Sequence, residues 1–154
     1  MKFPSEEYQY DADASTGFIF IRAYNKWHAT IKTELQKIGI THPQFVLMTV
    51  LNYLNQTEEF ATQTDIAKMA DMDVMSVSQI LRGLETKGYL IRKPNPKDTR
   101  ANTVRLLEKG QEIIAIALPI VEGIDKQFFS ALSDDERIFR NFLHTLIRKP
   151  DNGI

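Results

Sequence analysis

The stretch from Thr62 to Lys109 constrains the fold most, because two short helical patterns, a tight turn and a basic hairpin follow one another there without a gap. Thr62-Gln63-Thr64-Asp65 reads as a capping box with aspartate in the third position. Ile66, Ala67, Met69 and Ala70 supply the inner face of the helix it opens. Asp71-Met72 makes a turn into Asp73, an N-cap for a second helix that runs to Lys87. There Val77, Ile80, Leu81 and Leu84 share one face. Met75, Ser76, Ser78, Gln79 and Arg82 lie elsewhere, largely toward the outside. Gly83 costs about 1 kcal/mol of helix propensity, so packing must hold this helix, and Gly88 ends it. Residues 89–93 are β-rich, Pro94-Asn95-Pro96-Lys97-Asp98 supplies turn chemistry, and residues 103–107 form a second β run. Together these runs predict a hairpin with a long basic tip.

The flanks are helical. Residues 1 to about 13 read as a loose arm. Phe18, Ile21, Tyr24, His28, Ile31, Leu35 and Ile38 then recur at spacings of three and four, with Phe20 and Trp27 on a second apolar strip. A helix apolar on two sides packs against two things, such as its own domain and a partner. Gly39 stops it. Thr41-His42-Pro43 opens a nearly all-apolar helix, with threonine as N-cap and proline in the first turn. The residues 55–59 read as a polar loop. A long helical pattern from Glu108 to about Leu132 carries Pro119, which is expected to interrupt and kink it. Ser133-Asp134-Asp135-Glu136 reads as another capping box before a last helix presenting Ile138, Phe139, Phe142, Leu143, Leu146 and Ile147. These flanks hold more apolar surface than a small hairpin domain can cover, which predicts a symmetric dimer.

Composition removes several function classes. With 154 residues, 43% hydrophobic and 25% charged, the chain reads as one globular domain. No apolar stretch approaches the roughly 20 residues that span a bilayer, and the N-terminus lacks the apolar core of a secretory signal. A cytoplasmic location and no membrane partner are expected. The absence of cysteine excludes disulfides, thiolate nucleophiles and thiol-based redox sensing. His28, His42 and His144 lack the spacing of a metal site and read as structural. No nucleophile with a base, phosphate loop or carboxylate–histidine cluster appears, so neither an enzyme nor a cofactor is expected. The net charge of −1 hides an asymmetry. Residues 62–109 carry nine basic against six acidic residues, +3, which leaves −4 for the rest. Concentrated basic charge matters more than the whole-chain sum for a nucleic-acid partner.

Two short helices followed by a basic hairpin make a winged helix-turn-helix. The fold class expected is mainly α with a small β-hairpin wing, flanked by N- and C-terminal helices. In that arrangement the second short helix presents polar side chains to base edges in the major groove. The hairpin brings positive charge to phosphates or the minor groove. Here the sequence resembles the MarR family of bacterial regulators, closely over residues 41–110 and loosely beyond. The matching pieces are Thr41-His42-Pro43-Gln44-Phe45, Thr62-Gln63-Thr64-Asp65-Ile66-Ala67 and Leu84-Glu85-Thr86-Lys87-Gly88-Tyr89-Leu90. Asp98-Thr99-Arg100-Ala101 matches the family's Asp-x-Arg wing signature and is the most specific. Leu106-Leu107-Glu108-Lys109-Gly110 departs from the family's Leu-Thr-Glu-Lys-Gly, because Leu107 cannot cap a helix as threonine would.

The resemblance implies a homodimer joined through its terminal helices, residues 14–38 and 108–148 of a single 1–154 domain, with 41–107 as the DNA-binding region. It also implies a repressor, a double-stranded operator and release by a small, often aromatic, effector. The candidate DNA contacts are Ser76, Ser78, Gln79, Arg82, Lys97 and Arg100, with Asp98 bracing the wing by orienting Arg100. Tyr24, Trp27, Phe45 and Tyr53 are the candidate effector pocket, against the plainer reading of the same aromatics as core or dimer interface. The alternative function is a winged-helix protein-interaction module that binds no DNA. Such a module would show a wing without basic residues and an apolar recognition face. Here the wing is basic, and the face is polar apart from Val74 and Met75.

Overall fold

The computed structural model describes residues 12–98 and 100–148. Most of the expected N-terminal arm, and Thr99 of the wing signature, fall outside them. After a single 3-10 turn at Ala12–Ala14 come α1 (Thr16–Gln36), α2 (His42–Thr57), α3 (Gln63–Ala70), α4 (Val74–Thr86), β1 (Leu90–Pro94), β2 (Asn102–Leu106), α5 (Glu108–Phe129) and α6 (Glu136–Arg148). No helix of the described residues is long and apolar enough to cross a membrane.

Local chemistry sets most of these boundaries. Thr41 and Thr62 each cap a helix through a reciprocal box, with Gln44 and Asp65 returning the bond. The Asp73 side chain accepts from the Ser76 N–H. Gly39 and Gly88 take φ of 81° and 77°, the left-handed conformation that ends a helix at no steric cost to glycine. β1 and β2 pair antiparallel with Leu90 opposite Leu106 and Pro94 opposite Asn102. A bridge between Thr62 and Thr103 adds a short third rung.

The core gathers one stripe from each element. Ile31 and Leu35 of α1, Leu47, Met48 and Leu51 of α2, Ile66 of α3 and Val77, Leu81 and Leu84 of α4 are fully buried. Leu90 and Val104 seal the hairpin root, and Ile114, Ala117 and Val121 bring α5 onto the same core. Two apolar faces stay uncovered. One is the N-terminal half of α1, with Ile19, Phe20, Ile21 and Tyr24 exposed; the other is α6, which buries no residue.

The structure corrects four sequence expectations. Asn55, Gln56 and Thr57 belong to α2 rather than to a loop. The Asn55 amide donates to the Val104 carbonyl and accepts from the Leu106 N–H at 3.1 and 2.9 Å, so it is satisfied by β2 from the helix end. Met69 is half exposed, because eight residues of α3 give an inner face only to Ile66 and Ala67. Helix α5 continues through Pro119. Both Pro119 and Ala115, whose carbonyl loses its bond, lie on the exposed side, where water takes over. Ser133 does not cap α6. A 3-10 segment, Ser130–Asp135, joins α5 to α6, and Ser133 has φ of 50° rather than the extended backbone of an N-cap. Leu107 does precede α5 without a side-chain cap. Its N–H instead donates to the Tyr89 carbonyl at 2.9 Å, and Lys109 Nζ reaches the Lys87 carbonyl at 3.0 Å, so the helix start is tied to the end of α4.

Candidate nucleic-acid interface

Helix α4 is anchored on one side and open on the other. At 100° per residue, Val77, Leu81 and Leu84 form the buried side, and Met75, Gln79 and Arg82 form a stripe opposite. Gln79 and Arg82 are exposed, and their side chains make no hydrogen bond or ion pair among the described residues. Ser76 and Ser78 are held within the protein. The Ser76 hydroxyl donates to Asp73 Oδ2 at 2.7 Å and its N–H to Oδ1 at 2.8 Å. These bonds keep the Asp73 carboxyl below the usual range. Ser78 Oγ accepts from Arg92 at 3.5 Å. The two serines retain acceptor lone pairs but have lost the free rotation an isolated contact residue would have.

Arg92 reads in the sequence only as one basic residue of a β run, yet it organises this region. Its side chain is only 16% exposed. Its guanidinium reaches Gln63 Oε1 at 3.0 Å and Glu85 Oε1 at 3.2 Å, and its N–H donates to Glu85 Oε2 at 3.0 Å. One cation thereby joins the start of α3, the middle and end of α4 and the root of the wing. Desolvation raises the Glu85 carboxyl, and the bonds and charge of Arg92 outweigh it, so the group is lowered overall. A basic residue inside a β run was the available signal, but spacing alone could not place three partners around it.

At the wing tip the structure separates two cations. Arg100 Nε lies 3.5 Å from Asp98 Oδ1, which also accepts the Arg100 N–H at 3.1 Å. The Arg100 side chain is still 93% exposed and able to reach outward. Lys97 turns back instead, to Glu59 Oε2 at 3.3 Å and over the Phe60 ring. Contact with an anionic partner would have to compete with that exposed pair, which is a weak restraint.

The candidate effector aromatics are brought together only in part. Tyr24 and Trp27 sit together with ring centroids 5.8 Å apart, whereas Phe45 is buried in the core and Tyr53 is exposed. Two histidines join the cluster. His28 and His42 stack with Nδ1 atoms 2.7 Å apart, and Trp27 meets His42 edge-on while donating to Asp125 Oδ1 at 2.7 Å. A hydrogen bond between these nitrogens needs one ring to donate and the other to accept. Burial, then the neighbouring His28, lowers the His42 pKa, and Asp125 opposes both. A histidine whose folded pKa is depressed adds stability above its unfolded pKa of about 6.5 and loses it as pH falls through the folded value. Melting temperature is therefore expected to fall on acidification from pH 7 to 5 more steeply than in His42→Gln. Parallel pH profiles for the two proteins would remove His42 as the cause.

Comparison with known proteins agrees with this geometry. A family model described as the MarR family matches residues 38–101. The HTH-type transcriptional regulator YdcH of Bacillus subtilis is 38% identical over 134 residues, covering 87% of this chain and 88% of the relative. S. aureus MepR, solved as a DNA complex, superposes with a TM-score of 0.78 at 25% identity over 86% of this chain and 96% of its own. Bordetella bronchiseptica BpsR, whose DNA binding is regulated by 6-hydroxynicotinic acid, superposes with a TM-score of 0.79 at 22% identity over 92% and 99%. With a winged hairpin rooted on α4, an open polar stripe beside it and a relative of this identity along most of its length, the chain belongs to the MarR family of winged helix-turn-helix transcriptional regulators.

Proposed function

We propose that this regulator is a homodimeric repressor of the cytoplasm that binds a pseudo-palindromic operator in double-stranded DNA. In this reading α4 enters the major groove, and the β1–β2 wing follows the adjacent phosphates and minor groove. The observation that carries it is the pairing of a free Gln79–Arg82 stripe with the outward Arg100, on elements linked through Arg92. Ser76, Ser78 and Lys97 contribute as secondary contacts. Residues 41–107 are the DNA-binding region, and residues 14–38 and 108–148 the dimerisation helices, with the uncovered faces of α1 and α6 in support. A small aromatic effector acts near Tyr24 and Trp27 and changes the spacing of the two reading heads. The basic wing and the polar Gln79–Arg82 side of α4 argue against a protein-docking module.

Two variants separate the roles of helix and wing. Truncating a base-reading side chain costs roughly 1 to 3 kcal/mol and relaxes sequence preference, whereas a lost phosphate contact weakens all sequences and reduces the salt slope by about one. Gln79→Ala is expected to lose affinity for the operator and little for a scrambled duplex. Arg100→Ala is expected to weaken both and flatten the salt dependence. Titrations at several salt concentrations check this, and an unchanged affinity and slope in Arg100→Ala would return the interaction-module reading.

A further inference from the structure

We propose that Met75 reads the C5-methyl group of a thymine in the operator, an inference that rests on the DNA-binding reading above. Met75 is 78% exposed, the most exposed of the large hydrophobic side chains of the described residues. A lone exposed apolar residue is ordinary, but this one has a particular position. It lies in the first turn of α4, two residues after the Asp73 cap, and at i, i+4 and i+7 it shares a stripe with Gln79 and Arg82. In a helix-turn-helix the N-terminal residues of the second helix meet the base edges. Met75 is thus the leading member of the stripe.

Its chemistry selects the base. Gln79 and Arg82 can form hydrogen bonds, whereas a thioether is at most a weak acceptor. In the major groove, adenine and cytosine present amines, guanine presents two acceptors, and only thymine presents an apolar group. Methionine pressed on an amine would remove its water and return little, which disfavours cytosine and adenine as well as favouring thymine. The flexible side chain can follow the methyl without backbone movement. The cap bonds from Ser76 to both Asp73 oxygens hold the helix start on which this contact depends.

The test uses the full chain and a duplex enriched by it from a random pool. Each thymine of a half-site is replaced singly by deoxyuridine, which removes only the methyl group. Wild type is expected to lose about three- to tenfold affinity at one thymine per half-site, the worth of roughly one buried methyl. In Met75→Ala that loss should shrink below about 1.5-fold, and Met75→Leu should restore it. Melting curves of both variants check that the exposed substitution leaves the fold intact. A flat uracil scan with wild type, or an equal loss in Met75→Ala, overturns the inference while leaving DNA binding in place. Failure of wild type to enrich any duplex removes the DNA-binding reading and this inference with it.

Discussion

Gly110→Ala is expected to destabilise the protein by about 2 kcal/mol or more, lowering the melting temperature by roughly 4 to 8 °C. Gly110 is buried in the first turn of α5. An added Cβ would collide with the Tyr89 carbonyl oxygen and lie 2.7 Å from Leu106 Cδ1. Neither neighbour can yield easily. The Tyr89 carbonyl already accepts the Leu107 N–H at 2.9 Å, and Leu106 is buried at the hairpin root. Alanine gains up to about 1 kcal/mol of helix propensity over glycine, which offsets part of the collision. Gly83→Ala supplies the contrast, since its Cβ would meet only Gln44 Nε2, at 3.7 Å. That change should be neutral or stabilising by up to about 1 kcal/mol. Thermal melts at one protein concentration decide it, because an oligomer's melting temperature depends on concentration. A Gly110→Ala protein as stable as wild type would show that the α5 start has room to shift away from the wing.

Phe142→Asp combined with Leu146→Asp is expected to convert the protein to a monomer at micromolar concentration and to reduce operator affinity at least about a hundredfold. Ile138, Phe142 and Leu146 stand at i, i+4 and i+8 of α6, each more than half exposed. An apolar stripe on a helix that buries nothing in its own chain marks a surface covered by something else. Covering it together with the α1 face would give an obligate interface of the class that exceeds about 2,000 Å². Two carboxylates placed there have no partner and no water once the face is closed. Linked half-sites bind with an avidity of about 10² to 10⁴ over a single head, and that factor disappears with the dimer. Light scattering should change from twice the chain mass to the mass of one chain, with helical circular dichroism retained. An unchanged dimer would place the symmetric contact elsewhere and undo the assignment of α6.

The sequence by itself determined the parts of this protein governed by neighbours within a few residues. The Thr41, Thr62 and Asp73 caps, the Gly39 and Gly88 stops, the hairpin and the buried stripe of Val77, Leu81 and Leu84 follow from side chains acting on adjacent backbone. The Asp98–Arg100 brace is of the same kind, two residues apart. Ser133 shows the limit even there: a correct capping pattern lost to the turn between α5 and α6. What only the tertiary structure decided is which polar groups remain available. Ser76, Ser78 and Lys97 looked as free as Gln79 and Arg82, yet Asp73, Arg92 and Glu59 engage them. Arg92 reads as one more wing cation until α3, α4 and β1 converge on it. His28 and His42, on different helices, meet through their Nδ1 atoms because α1 packs across the start of α2, which no metal-type spacing foreshadows. Periodicity reports which face of a helix is wet. Charge-assisted bonds depend on distance and direction between elements far apart in the chain, and those are set when the core closes.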